Sequence, residues 1–379
     1  MRIPFNKEYH FQCEIQYIKE VLDKGATAGD GSYTKLVEEL LETSFDFSKV
    51  FMTTSGTHAL EMAAIALDLK VGDEIIMPSY NFPSMANSVV LRGAMPVFAE
   101  ISEDTMNIDA ADIERRITDK TKGIYVIHYA GIGCDMDSIM DLASQYRLYV
   151  VEDAAQAVNA AYKGRYLGGI GYMGCLSFHG TKNYISGEGG ALVFNSEDES
   201  MKRFLEIVRQ KGTNRMDMIR GQASSYRWMN AGSSYCPSEV LMAMLYGQLK
   251  NLDFVKAARC RIFNIYIEQL SDLEDKGIIK LMKVPYGCEP NYHIFYILLK
   301  NEKERSRVQA ELKEAGIGTA FHFMPLHSSP MGRSLGFKPE DLPATEDLSS
   351  RLLRLPIYTG MEVNEVEYVV CNLRESLMR

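Results

Sequence analysis

The chain has 379 residues, 46% of them hydrophobic and 24% charged, which is the composition of a globular protein long enough for two domains. A formal net charge of −9 argues against a general binder of nucleic acid or of anionic membranes, and no apolar run approaches the ~18 residues of a membrane span. The start, Met1-Arg2-Ile3-Pro4, turns polar within a few residues, so no signal peptide is expected, and seven scattered cysteines without a Cys-x-x-Cys spacing read as reduced thiols of a cytoplasmic protein.

From about residue 49 to 195, short β-rich runs alternate with amphipathic helical stretches. Val50–Thr53 precedes a helix over about Thr57–Leu69, and Glu74–Met77 precedes one over Phe82–Leu91. Pro96–Ala99 is followed by Ala110–Ile117, Ile124–Ile127 by Met136–Tyr146, and Leu148–Val151 comes next. This alternation predicts βα units around a mainly parallel sheet, whose ligands gather at the carboxyl ends of the strands. Pro237 to about Leu273 reads as one long helical spine, with no Gly or Pro between Gly247 and Gly277. Beyond it, strands are predicted at Tyr292–Leu299 and Thr319–Phe323, and helices at Glu302–Ala315 and Asn364–Met378. The expected domains are 1–250 and 251–379, with the stretch before Gly25 able to pack on either.

Several residues past strand ends carry chemistry. Ser55-Gly56-Thr57-His58 opens a helix, where glycine lets the backbone approach an anion and the N–H groups favour a phosphate; a plain N-cap is the alternative. Asp153 ends an apolar strand, so it needs a partner or a cap. Lys182, in Ser177-Phe178-His179-Gly180-Thr181-Lys182, lies ahead of the flexible turn Gly187-Glu188-Gly189-Gly190. A lysine near a carboxylate at a strand end is the equipment for a Schiff base with pyridoxal phosphate (PLP), the carboxylate pairing with the pyridinium nitrogen. Gln156 could donate to the cofactor's phenolate oxygen or serve a loop, Phe82 could stack on a flat ring or pack in the core, and His179 could lie at the cofactor or be a core histidine. No Gly-x-Gly-x-x-Gly follows the first strand, and there is no Gly-x-Ser-x-Gly or His-Glu-x-x-His, so neither a dinucleotide fold, a serine nucleophile nor a metal site is expected.

In this order the segments resemble the DegT/StrS-type sugar aminotransferases, PLP enzymes of fold type I. The matching stretches include Gly29-Asp30-Gly31, Pro78-Ser79-Tyr80-Asn81-Phe82, His128-Tyr129-Ala130-Gly131, Glu152-Asp153-Ala154-Ala155-Gln156, His322-Phe323-Met324-Pro325-Leu326-His327 and Leu353-Arg354-Leu355-Pro356. The resemblance implies an aspartate-aminotransferase-like α/β fold, with a mainly parallel seven-stranded sheet in the large domain and a smaller α+β C-terminal domain. It implies Lys182 as the internal aldimine, Asp153 at the pyridine nitrogen, Gln156 at the ring oxygen and Phe82 on the ring. Gly56, Thr57 and His58 would hold the phosphate through their backbone, and Ser177 through its hydroxyl. Ser234 stands where much of the family carries an Asn that reaches the phosphate from the partner subunit of a homodimer. His179, Tyr184, Arg215 and His327 are the implied substrate contacts. Lys182, where some relatives carry His, argues against the dehydratase branch. Finer features, Lys211-Gly212-Thr213-Asn214-Arg215 and Gly232-Ser233-Ser234-Tyr235, imply transfer of the amino group of L-glutamate to C4 of a dTDP-linked 4-keto-6-deoxy sugar. A transaminase making the gluco epimer or a 3-amino sugar, and a non-catalytic protein that only binds PLP or a nucleotide sugar, are the alternatives.

Overall fold

A computed structural model describes residues 1–378. The first half of the chain lays down β1 (Lys49–Thr53), β2 (Glu74–Pro78), β3 (Met95–Ala99), β4 (Thr121–Ile127) and β5 (Tyr149–Asp153). The short β6 (Ala161–Tyr162) and β7 (Arg165–Tyr166) follow, then β8 (Met173–Ser177) and β9 (Gly190–Phe194). Seven of these form one sheet in the order β1-β9-β8-β5-β4-β2-β3. Neighbours run parallel except at β9, which is antiparallel to both β1 and β8.

Burial explains why these runs are strands. Every residue of β8 and β9 is buried, as expected of strands covered on both faces. Alternate residues feed two separate cores: Val50, Met52, Ile76 and Val126 point into one, and Phe51, Ile75, Met77 and Ile127 into the other. The first core is closed by α1 (Gln12–Asp23) and α2 (Ser32–Phe45). The second is closed by α3 (Gly56–Ala66), whose Ala59, Ala63 and Ala64 let it lie close to the sheet, and by α4 (Pro83–Val90). Glu239 fixes the start of α2: its carboxylate accepts the N–H groups of Gly31, Tyr33 and Thr34 at 2.7–3.0 Å.

A third core belongs to the C-terminal unit. Here β10 (Lys280–Leu281), β12 (Phe295–Leu298) and β13 (Leu352–Leu355) form an antiparallel sheet, while β11 (Cys288–Glu289) pairs with β6. Helices Leu252–Asp275, Glu302–Glu314 and Val363–Leu377 cover the sheet. Ile3 joins this core, held by bonds between its backbone and Gly316 and Gly318. Tyr80 and Tyr129, from the β2 and β4 ends, belong to it too, so the two units meet at the strand ends.

Two expectations are corrected. The helical spine is two helices, Glu239–Leu249 and Leu252–Asp275, divided where the Asn251 side chain bonds back to the Gly247 carbonyl at 2.9 Å. Thr319–Phe323 is not a strand. Ala320 pairs with Arg354 at a single bridge, and the chain then leaves the sheet so that the His322 carbonyl accepts the hydroxyls of Tyr80 and Tyr129. The third strand of that sheet is β13.

Candidate active site

The ends of β4, β5 and β8, with the segments just past β1 and just ahead of β9, line one cavity of about 470 Å³. Register alone brings the segments together: Thr53 and Ser177 both pair with Gly190, and Asp153 pairs with Cys175. Gly190 has to be glycine, because a Cβ there would overlap the backbone of Ser55 and Gly56.

Lys182 sits in the β8–β9 connection. That loop is tied down by Phe178 N–H to Gly189 O at 2.8 Å, Gly180 N–H to Gly187 O at 2.9 Å and Lys182 N–H to His179 O at 2.8 Å. The lysine side chain lines the cavity. Burial pushes its pKa down from 10.5 to about 8; the Asp153 carboxylate opposes that shift, and the Arg354 guanidinium adds to it. Asp153 is buried at the end of β5, where its Oδ1 accepts the Ala155 N–H at 3.0 Å. Burial pushes its carboxyl up, partly offset by that bond and by the charges of Lys182 and His128.

Behind Asp153 lies a fully buried support. Glu152 accepts His128 Nε2 at 2.9 Å and the N–H groups of Gly168, Ile170 and Gly171 at 2.8, 2.7 and 2.6 Å. Burial alone would raise this carboxyl, but the bond and charge of His128 and the backbone donors hold it below its ordinary value. The turn after β7 is thereby fastened to the strand that presents Asp153.

The cavity fits a flat anionic pyridine cofactor. At one side α3 begins, with the N–H groups of Gly56 and Thr57 lacking intrahelical acceptors and Ser177 within reach; a Cβ on Gly56 would lie 3.0 Å from the Ser177 Cβ. Alongside, where Ser84 Oγ lies 2.7 Å from Thr57 Oγ1, Phe82 caps α4; the residue is 56% exposed and its ring lies 6.0 Å from that of Phe323. Gln156 is fixed by the Ala130 N–H to its Oε1 at 2.8 Å, and its Nε2 is left without a bond. A lysine of lowered pKa, a buried carboxylate, an anion cradle and an exposed ring are the donor set PLP needs.

The structure thus gathers Gly56, Thr57, Phe82, Asp153, Gln156, Ser177, His179 and Lys182 around one cavity, His179 at its rim. It keeps five other expected residues away. The His58 N–H is taken by Ser55 Oγ at 3.2 Å, and its ring bonds Thr54. Tyr184 is buried beside the cavity wall, with its hydroxyl between Asn159 and the Leu252 carbonyl, so it supports the lysine loop and does not face a substrate. His327 is buried with Nδ1 2.7 Å from Ser79 Oγ, joining the C-terminal unit to the end of β2. Arg215 bonds Gln210, and Ser234 bridges to Gln210 on an exposed surface outside the cavity of its own chain.

Arg354, His293, His322 and Phe323 line the cavity although no role was expected of them. Arg354 and His322 lie within family-like segments; His293 carries no local pattern at all. It bonds the Asn183 side chain at 2.9 Å, and burial, with the charges of Lys182, Arg259 and Arg354, holds its pKa well below 6.5, so it is neutral.

Comparison with known proteins agrees with this geometry. Residues 10–374 match the DegT/DnrJ/EryC1/StrS aminotransferase family. The chain is 32% identical to the spore coat polysaccharide biosynthesis protein SpsC of Bacillus subtilis, over 98% of this chain and 96% of that protein. It is 29% identical to the GDP-perosamine synthase of Escherichia coli O157:H7, over 96% and 95%. Spr1654 of Streptococcus pneumoniae in its PLP form superposes with a TM-score of 0.93 over 100% of this chain and 99% of that one; at 24% identity this likeness speaks for the fold. The chain belongs to the DegT/DnrJ/EryC1/StrS family of PLP-dependent sugar aminotransferases.

Proposed function

We propose that this protein transfers the amino group of L-glutamate to C4 of dTDP-4-keto-6-deoxy-D-glucose, giving dTDP-4-amino-4,6-dideoxy-D-galactose and 2-oxoglutarate. The observation that carries the transamination is Lys182, an amine with a pKa of about 8 in the same cavity as the buried Asp153. The dTDP-linked sugar is supported by the segments around Lys211–Arg215 and Gly232–Tyr235, while similarity to relatives such as GDP-perosamine synthase supports amination of a nucleotide sugar in general.

Lys182, Asp153, Gln156, Phe82, Ser177, Gly56 and Thr57 hold the cofactor in this reading. When bound, PLP supplies an electron sink for the carbon that carries the amino group. Asp153 keeps the ring nitrogen protonated, its buried carboxylate making a charge-assisted bond to that N–H beside the one it accepts from Ala155. Gln156 Nε2 donates to the ring oxygen. The α3 N–H groups and Ser177 Oγ orient the phosphate. Lys182 Nζ takes the proton from Cα of the donor, and in the second half of the cycle delivers one to C4 of the sugar. At about 8 its pKa lies close to neutrality, where an amine can serve as both base and acid. The neutral His293 beside it adds no competing charge.

A homodimer completes the site. Trp228 is 84% exposed, and Ile219, Tyr226 and Met229 of the same 215–234 segment are exposed too. Such an apolar surface calls for a partner, and Arg215 and Ser234 lie on the same segment, which faces the second subunit's cavity in this reading. Incubation with PLP, L-glutamate and the dTDP-keto sugar, followed by NMR of the amino sugar, tests the proposal. An axial C4 amine supports it. An equatorial amine, or turnover only with GDP- or UDP-linked sugars, refutes the assigned substrate.

A further inference from the structure

The neighbours of His293 fix where its ring carries a proton. Asn183 Nδ2 donates to the Asn291 carbonyl at 2.8 Å, so Asn183 turns its oxygen toward the imidazole, and that oxygen lies 2.9 Å from Nδ1. An amide oxygen only accepts, so Nδ1 bears the hydrogen. Asn291 holds the frame: its Oδ1 accepts the His293 N–H at 3.1 Å, and its Nδ2 donates to the carbonyls of Gln156 and Val158 at 2.9 Å each. Burial and the charges of Lys182, Arg259 and Arg354 keep the ring neutral, which leaves Nε2 as a bare acceptor. Among the described residues the Asn183 contact is the ring's one hydrogen bond.

Lys182 and His293 both line the large cavity, and both also line a second chamber of about 10 Å³ with Gln156, Ser177 and Asn183. That is room for about one water, and the wall is polar enough to hold it. Of the charges acting on His293, that of Lys182 acts most strongly. The amide acceptors around the chamber are already taken: Gln156 Oε1 by the Ala130 N–H, Asn183 Oδ1 by the imidazole and Asn291 Oδ1 by the His293 N–H. A neutral amine has two N–H bonds and one lone pair, so it meets a carbon squarely only when an acceptor behind it takes an N–H. We infer that His293 is a positioning residue for Lys182: one water in the small chamber accepts an N–H of Nζ and donates to Nε2, which turns the lysine's lone pair toward the reacting carbon. When the Cα–H bond of the donor breaks, its proton goes to Nζ and its electron pair to the cofactor ring. His293 keeps its own proton on Nδ1 throughout, so it aims the base and is not a second one.

The inference rests on the reading of Lys182 as the base, and two kinds of measurement keep the two apart. Nitrogen-15 NMR of the cofactor-free protein, with the His293 signals identified by their loss in His293→Asn, should show Nδ1 protonated and Nε2 bare; a protonated Nε2 overturns the inference without any turnover being measured. Single-turnover rates with PLP, L-glutamate and α-deuterated L-glutamate then test the aim. His293→Asn keeps a donor for Asn183 but loses the acceptor at Nε2, and its rate of Cα–H cleavage should fall about 10- to 100-fold, the scale of a base displaced by about 1 Å. The isotope effect should grow as proton transfer becomes limiting, while the affinities for glutamate and PLP change less than about threefold. His293→Gln, whose Oε1 reaches the place of Nε2, should recover part of the rate. Asn183→Leu should lose as much as His293→Asn with the imidazole still present, because nothing then holds the proton on Nδ1. An unchanged rate in His293→Asn overturns the inference, as does a loss that falls on glutamate or PLP affinity with no larger isotope effect, or a His293→Gln no faster than His293→Asn. If Lys182→Ala turns over without an added amine, the reading of the lysine itself fails and the inference falls with it.

Discussion

The ionisation of Lys182 can be measured without any cofactor. Burial disfavours its ammonium form, Asp153 favours that form, and Arg354 disfavours it, with a net pKa of about 8 against 10.5 for a free side chain. At pH 7 the neutral fraction then rises from about 0.03% to about 10%, a gain of about 300-fold in nucleophilic amine. Competitive acetylation of the cofactor-free protein across pH, read by mass spectrometry of the Lys182 peptide against exposed lysines, reports this value. Labelling per accessible amine should climb through pH 8 and level off, while the exposed lysines keep climbing past pH 10. Asp153→Asn removes the charge that stabilises the ammonium, so its midpoint should fall below that of wild type; Arg354→Gln should move it up. A wild-type midpoint at or above 10, or an upward shift in Asp153→Asn, would refute the electrostatic account.

Lys182→Ala should abolish turnover, and full transamination by that variant without an added amine would remove its assigned role. Asp153→Asn should retain some PLP yet lose most activity; near-wild-type rates would count against a pyridinium partner. Glu152→Ala leaves three backbone N–H groups and the His128 ring buried without their acceptor, so chemical denaturation should show a loss of about 3–5 kcal/mol at roughly 1 kcal/mol per orphaned donor. A loss below about 1 kcal/mol would show that this network relaxes or hydrates. Gly190→Ala pushes the Ser55–Gly56 turn out of place, and should cut PLP retention on gel filtration while far-UV circular dichroism stays unchanged; full retention would show that the turn tolerates a methyl group.

Local pattern determined a good deal here. Apolar runs of period two or of continuous burial, alternating with helices of small apolar residues, are short-range features, and β1 to β5 and their helices fall within a few residues of where periodicity puts them. Residue chemistry at strand ends singled out Gly56, Thr57, Phe82, Asp153, Gln156 and Lys182, because ligands of parallel sheets gather at the carboxyl ends of the strands, and the family resemblance added Ser177. Tertiary structure decided the rest. The pairing of β9 between β1 and β8 is long-range, and it alone seats Gly190 against the Ser55–Gly56 turn. His327 and Tyr184 look like site residues in sequence, yet their hydrogen bonds are spent on Ser79, Asn159 and the Leu252 carbonyl, partners 25 to 248 positions away. Arg354 reads as one more polar residue in an apolar run. That its guanidinium is buried against the lysine's cavity, with no carboxylate paired to it among the described residues, depends on how the fold sets β13 against Tyr129 and Phe323. A charge acquires its meaning from the partners that the fold supplies or withholds, and those partners are not its neighbours along the chain.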